Sequence, residues 1–217
     1  MDKFTQFTAT AVPMRNDNID TDAIIPAGAM KNVGIDMRGL GEYLFYEWRF
    51  DPSGAPIEDF ILSQPQYKDA GIIVAGRNFG CGSSREHAVW ALLYADIRCV
   101  IAPSFGDIFY GNCFKNGVLP AKVDAATHEN LMREVEETNG GSAMSVDLET
   151  LKVVSPMGNE YAFTIDAPGR EALLSGLDDI AATLVYDEEI TSFQKLQAAE
   201  KPWLHNTRFA IGAAGRD

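Results

Sequence analysis

Gly71-Ile72-Ile73-Val74-Ala75-Gly76-Arg77-Asn78-Phe79-Gly80-Cys81-Gly82-Ser83-Ser84-Arg85-Glu86-His87-Ala88 is the stretch from which the fold can be read. It opens as an apolar run of strand length. Ala88-Val89-Trp90-Ala91-Leu92-Leu93 then has helical character, with Ala88, Ala91, Leu92 and Ala95 on one face. Cys99-Val100-Ile101-Ala102 is a second strand-like run, so residues 71–102 predict a βαβ unit with a parallel strand pair. The glycine-rich turn between strand and helix lets backbone approach a ligand, and the orphan N–H groups of the new helix point at it. Ser83 is expected to cap that helix, with Glu86 reaching back to complete a capping box.

Outward from this unit, Phe4 to Val12 reads as a first strand that ends at Pro13. Residues 31–66 look irregular, with scattered Gly and Pro and the aromatic cluster Tyr43, Phe45, Tyr46, Trp48 and Phe50. A loop of that length is usually functional or covers something. Downstream, Ser104 is placed to cap a helix running from Asp107 over Ile108, Phe109, Cys113 and Phe114 to a stop at Gly117. Val118–Val123 predicts a strand and residues 125–138 a polar helix. Met144–Leu148, Lys152–Val154 and Glu160–Ile165 predict short antiparallel strands. Residues 169–201 read as helical with breaks near Gly176 and Tyr186, and the tail after Pro202 as extended or an interaction arm. The expectation is an α/β fold divided into a domain at 1–168 and a helical extension with a tail at 169–217.

The 217 residues suit one large domain or a domain with an extension. A chain of that length buries roughly 70% of its unfolded surface and needs no staples. Its 18 basic and 31 acidic residues give a net charge of −13, a field that argues against nucleic acid or anionic membranes as partners. An anionic substrate would need a local arginine cluster to overcome that field. Met1–Gln6 lacks the regions of a signal peptide and no apolar run reaches membrane-span length, so a cytoplasmic protein is expected. Cys81, Cys99 and Cys113 form no metal-ligand spacing; a sparse, odd set fits a reducing compartment, and a cluster or zinc would need ligands from another chain.

Three readings of the glycine turn compete. A nucleotide loop is disfavoured, because Gly80-x-Gly82 lacks a third glycine at the right offset and no Gly-Lys-Ser/Thr follows. A purely structural turn, with Ser83 only capping a helix, is open. So is a carboxylate site, with Arg85 pairing a carboxylate and Ser83 acting as base or nucleophile under stabilisation from backbone N–H groups and the helix dipole. No Ser-His-Asp triad is evident, and His87 reads more readily as a packing or hydrogen-bonding histidine. Asp20-Thr21-Asp22 is either an Asx-turn or a holder for an arginine or water. Arg77 and Asn78 read as polar supports of the loop.

Asn18-Ile19-Asp20-Thr21-Asp22-x-Ile24-Ile25-Pro26, the run Gly76–Ala88, Ala102-Pro103-Ser104-Phe105 and Asn112–Pro120 occur in that order, together with the aromatic block from Gly41 to Phe50. In this the chain resembles the small subunits of 3-isopropylmalate dehydratase, within the aconitase superfamily, over nearly its whole length. The resemblance implies a swivelling β/β/α domain with a C-terminal helical extension. It implies Ser83 as the base that removes a carbon-bound proton and Arg85 as the group that binds a substrate carboxylate and stabilises the alkoxide. Ser84, Asp20, Thr21 and Asp22 become substrate-binding candidates. So does Lys31, in the loop after Pro26 where family members distinguish the substrate's γ-substituent. Here Ala27-Gly28-Ala29-Met30-Lys31 departs from the bulkier polar and aromatic residues often seen. The resemblance further implies a partner large subunit, as heterodimer or heterotetramer, carrying the [4Fe–4S] cluster that this chain lacks. It implies a dicarboxylate substrate, with isomerisation of 2-isopropylmalate to 3-isopropylmalate in leucine biosynthesis. The alternatives are a homoaconitase-type or other malate-type hydro-lyase subunit, or a non-catalytic interaction module of the same fold.

Overall fold

The computed structural model describes residues 1–34 and 36–204. Strand β1 (Gln6–Met14) leads into helices α1 (Thr21–Ile24), α2 (Ala29–Val33) and α3 (Tyr46–Arg49), with 3-10 turns at Met37–Tyr43, Ile61–Ser63 and Pro65–Tyr67. Then come β2 (Ala70–Ala75), α4 (Glu86–Tyr94), β3 (Cys99–Ala102), α5 (Asp107–Asn116), β4 (Leu119–Lys122) and α6 (Ala125–Thr138). Strands β5 (Ala143–Asp147), β6 (Lys152–Val154) and β7 (Glu160–Ala162) precede helices α7 (Ala167–Ser175), α8 (Asp179–Leu184) and α9 (Asp187–Glu200). A 3-10 turn at Pro202–Leu204 follows; the rest of the expected arm, 205–217, lies outside the described residues. None of the helices among the described residues is long and apolar enough to cross a membrane.

The strands form one seven-stranded sheet in the order β4-β3-β2-β1-β5-β6-β7. Its β1 to β4 half is parallel, and β5, β6 and β7 continue it antiparallel from β1. The predicted βαβ unit is present, and its strands are apolar throughout because both faces are covered. Alternation along β2 divides the core: Ile73 and Ala75 pack with α4 and with Ile24, Ile25, Leu40 and Phe45, while Ile72 and Val74 pack with Leu131, Met132 and Val135 of α6. The three crossover connections therefore leave the carboxyl ends of β1, β2 and β3 on one edge of the sheet. Open parallel sheets bind ligands outside such strand ends.

Several local expectations change. Strand β1 does not stop at Pro13 but pairs with β2 as far as Met14, whereas β5 pairs only with Gln6–Thr10. The register shifts between Thr10 and Ala11, where β1 leaves β5. Beyond that point one side of β1 has no neighbouring strand, so a proline lacking its N–H is tolerated. The segment 31–66 is largely short helical turns rather than irregular chain. Each is too short to display a periodicity, and buried Leu40, Leu44 and Phe45 anchor the segment.

The chain divides into two compact units, Met1–Asp178 and 179–217. The first includes α7, whose Leu173 is fully buried in the α6-side core and whose Gly169 lies against the Phe114 ring. This places the unit's end ten residues beyond 168, where the sequence suggested a boundary. In the second unit, α9 has no buried residue, and Leu184, Phe193 and Leu196 are exposed.

Candidate active site

The loops leaving β1, β2 and β3 are stitched together by backbone. Asn18 N–H donates to Arg77 O at 2.8 Å, Gly80 N–H to Ile19 O at 2.7 Å, and Thr21 N–H to Cys81 O at 2.9 Å. On the other side Phe79 N–H donates to Ser104 O at 3.1 Å and Gly106 N–H to Phe79 O at 2.9 Å. The β2 loop is thus clamped between the other two. The expected polar supports reinforce it: Arg77 pairs with Asp17 at 2.8 Å, and Asn78 Nδ2 donates to Asn18 Oδ1 at 2.8 Å. Both asparagines hold left-handed backbone, with φ of 58° and 59°, a conformation their short polar side chains tolerate. Ser104 Oγ accepts from Asn78 N–H at 2.9 Å, so it serves this loop; the expected cap on α5 is absent, and the helix starts from Gly106 instead.

Two glycines make the turn possible. Gly80 has φ +71°, and a Cβ there would collide with the Phe109 ring. Gly82 has φ +87° beside Asp20. The chain then runs through exposed Ser83 and Ser84 into α4, whose N-cap is Arg85. Ser83 therefore does not cap the helix, and no capping box forms. Glu86 is already the first helical residue and accepts from Asn116 Nδ2 at 2.8 Å instead of turning back. The Ser83 backbone is fixed another way: buried Thr21 donates from Oγ1 to Ser83 O at 2.9 Å. Asp20 caps α1 by accepting from Ala23 N–H at 2.8 Å, which is the Asx-type reading. Asp22 ion-pairs with Arg85 Nη1, which is the arginine-holding reading. Neighbouring acids of one tripeptide serve the two purposes.

Beside this turn lies a cavity of about 280 Å³ lined by Ile25, Pro26, Ala27, Ser84, Arg85 and His87. One wall is apolar and the other carries a hydroxyl, a guanidinium and an imidazole. A carboxylate with an aliphatic substituent meets complementary chemistry on both sides. Of the residues singled out in the sequence, Ser84 and Arg85 line this cavity, Ser83 precedes them on the exposed turn, and Thr21 and Asp22 reach the turn through the Ser83 carbonyl and the Arg85 guanidinium, with Asp20 beside Gly82. Lys31 is not among them: it is exposed on α2 and is absent from the cavity lining. Ala27, from the loop expected to distinguish the substrate's γ-substituent, lines the cavity; His87, read in the sequence as a packing or hydrogen-bonding histidine, is a cavity residue that sequence reasoning did not place. The signals for His87 were its position two residues beyond Arg85 and its place in the Gly76–Ala88 run. A larger cavity of about 550 Å³ shares Pro26 and is bordered by Tyr43, Tyr46 and Phe50, so the aromatic segment neighbours the site.

The cysteines do not suit a metal cluster. Cys99 and Cys113 are fully buried, and burial pushes both thiols upward. Cys81, in the loop itself, is also raised, by partial burial and then by the charge of Asp20. Among the described residues, no three His, Cys, Asp or Glu side chains gather as metal ligands do.

Comparison with known proteins identifies the family. Residues 1–126 match the aconitase C-terminal domain family, and residues 129–167 match the family LeuD_N. The 3-isopropylmalate dehydratase small subunit of Rhizobium etli is 50% identical over 205 residues, spanning 94% of this chain and 99% of that protein. That of Sinorhizobium fredii is 51% identical over 205 residues, spanning 94% of this chain and 100% of that protein. A crystal structure of 3-isopropylmalate dehydratase from Methanocaldococcus jannaschii is 28% identical and superposes with a TM-score of 0.61, over 87% of this chain and 99% of that one. Such identity along nearly the full length of both chains, on a shared fold, makes this chain a member of the 3-isopropylmalate dehydratase small-subunit family.

Proposed function

We propose that this chain is the base-carrying half of a hydro-lyase that isomerises 2-isopropylmalate to 3-isopropylmalate through 2-isopropylmaleate, a step of leucine biosynthesis. The observation that carries the reading is the Ser83-Ser84-Arg85 turn: two exposed serines on a backbone held by Thr21, next to an arginine paired with Asp22, with Ser84 and Arg85 lining a half-apolar cavity. In the dehydration direction Ser83 Oγ takes a proton from the carbon next to a carboxylate, and the hydroxyl leaves the neighbouring carbon. In rehydration the proton and hydroxyl return to exchanged carbons. A serine is a weak base unless its alkoxide is stabilised. Arg85 and the amino end of α4 are the positive groups at hand, and Arg85 also holds a substrate carboxylate. Ser84 orients the substrate.

The wall of Ile25, Pro26 and Ala27 suits a branched aliphatic group and offers no cation to a third carboxylate, which favours isopropylmalate over homocitrate. The [4Fe–4S] cluster that the family resemblance implies does not fit this chain, because its described cysteines are buried or isolated. The partner large subunit is where it would reside, and no step above runs through it.

Mixing the purified chain with a large subunit of the same enzyme class tests the reading. Formation of the unsaturated intermediate is followed by its ultraviolet absorbance. Neither chain alone should turn over 2-isopropylmalate, and the pair should. A pair that assembles but leaves isopropylmalate unchanged would count against the function.

A further inference from the structure

The glycine turn accounts for Ser83, Ser84 and Arg85 but leaves His87 without a task. We propose that His87 is a second hydrogen-bond donor to the substrate carboxylate, acting beside Arg85; the inference rests on the hydro-lyase reading. Its side chain lines the same cavity as Ser84 and Arg85. Neither ring nitrogen has a hydrogen-bond partner among the described residues. His128, by contrast, is tied through Nε2 to Ala75 O at 2.8 Å.

The His87 ring is nonetheless fixed in place. It packs edge-on against Trp90 with centroids 4.8 Å apart. Trp90 Nε1 in turn donates to Asn116 Oδ1 at 2.8 Å, and Asn116 Nδ2 donates to Glu86 Oε1 at 2.8 Å and to Asn112 O at 2.9 Å. This network joins α4 to α5 and orients the imidazole without using either of its nitrogens. An imidazole offers at least one N–H donor whatever its protonation state.

The need for a second donor follows from charge. The chain carries −13, and Arg85 is already paired with Asp22. A substrate carboxylate therefore meets a partly neutralised guanidinium, and a further N–H on the same wall supplements it.

The test uses the reconstituted pair with His87→Phe and His87→Gln. The phenylalanine keeps the ring contact with Trp90 and removes both nitrogens; the glutamine restores an N–H donor. Loss of one hydrogen bond to a charged group corresponds to a change of roughly 10–100-fold in binding. His87→Phe should raise KM for 2-isopropylmalate by about that factor while kcat stays within about threefold. His87→Gln should recover most of the loss, and thermal unfolding of both chains should match the parent. A His87→Phe pair with parental KM overturns the assignment and leaves the hydro-lyase reading standing. So does a loss confined to kcat or to thermal stability that glutamine does not rescue. A parental pair with no activity on isopropylmalate overturns the hydro-lyase reading and this inference with it.

Discussion

Asp22 and Arg85 form an ion pair that ties the Asp20-Thr21-Asp22 tripeptide to the Ser83-Ser84-Arg85 turn. Asp22 aims the guanidinium, which carries more N–H donors than one carboxylate oxygen engages. A substrate carboxylate can therefore be bound without dismantling the pair. The position of the serines depends on Gly80 in the same way. Its φ of +71° and its closeness to the Phe109 ring leave no room for a side chain. Gly80→Ala combines left-handed strain with overpacking, each costing on the order of 1–3 kcal/mol. We expect it to destabilise the fold by about 2–4 kcal/mol, read from the denaturant midpoint. An unchanged midpoint would mean that the turn is not built on this contact.

Elements differ in how far their sequence declares them. Strands β2 and β3 were legible because burial on both faces makes them apolar at every position. Helix α6 was legible at both ends: Asp124 accepts from Ala126 and Thr127 N–H, and Asn139 closes it in left-handed backbone. Helix α5 stops at Gly117, φ +79°, for the same kind of local reason. The caps assigned to Ser83 and Ser104 were wrong because both residues are claimed by neighbouring loops, through Thr21 and Asn78, that lie far away in sequence. The surroundings of His87 were illegible for a similar reason, since they depend on Trp90 meeting Asn116 from another helix.

Helix α6 also carries a pH-sensitive tie. Burial alone would push the Glu134 carboxyl up. The Ser155 and Tyr161 hydroxyls and the Asn159 amide outweigh it and hold the group below its ordinary range. The Tyr161 hydroxyl donates at 2.5 Å and Asn159 Nδ2 at 3.0 Å, both to Glu134 Oε1. A carboxyl lowered in the folded state contributes stability that is complete above its unfolded value, roughly 4.3. That contribution is lost as pH falls through the lower folded value. Unfolding free energy should therefore decline on acidification below about pH 4.5, and Glu134→Gln should show a shallower decline. Equal slopes for the two chains would remove Glu134 from the account.

At the scale of the whole molecule, every buried hydrophobic residue among the described residues lies between Phe4 and Leu173, so the unit bearing the glycine turn has its own core. That unit holds the reactive turn at the carboxyl edge of a parallel half-sheet. The mixed sheet, the two-sided core and the convergence of Asp20–Asp22 with Ser83–Arg85 follow from segments the sequence marked out. The central claim is that the proton-abstracting base comes from this chain and is Ser83. Its most direct measurement is kcat for isopropylmaleate formation by the pair reconstituted with Ser83→Ala, alongside the affinity of the two subunits for each other. General-base catalysis is worth about 10²–10⁴-fold. The account predicts a fall in kcat of at least about 10²-fold, with subunit affinity and KM retained. Turnover close to that of the parent pair would contradict it.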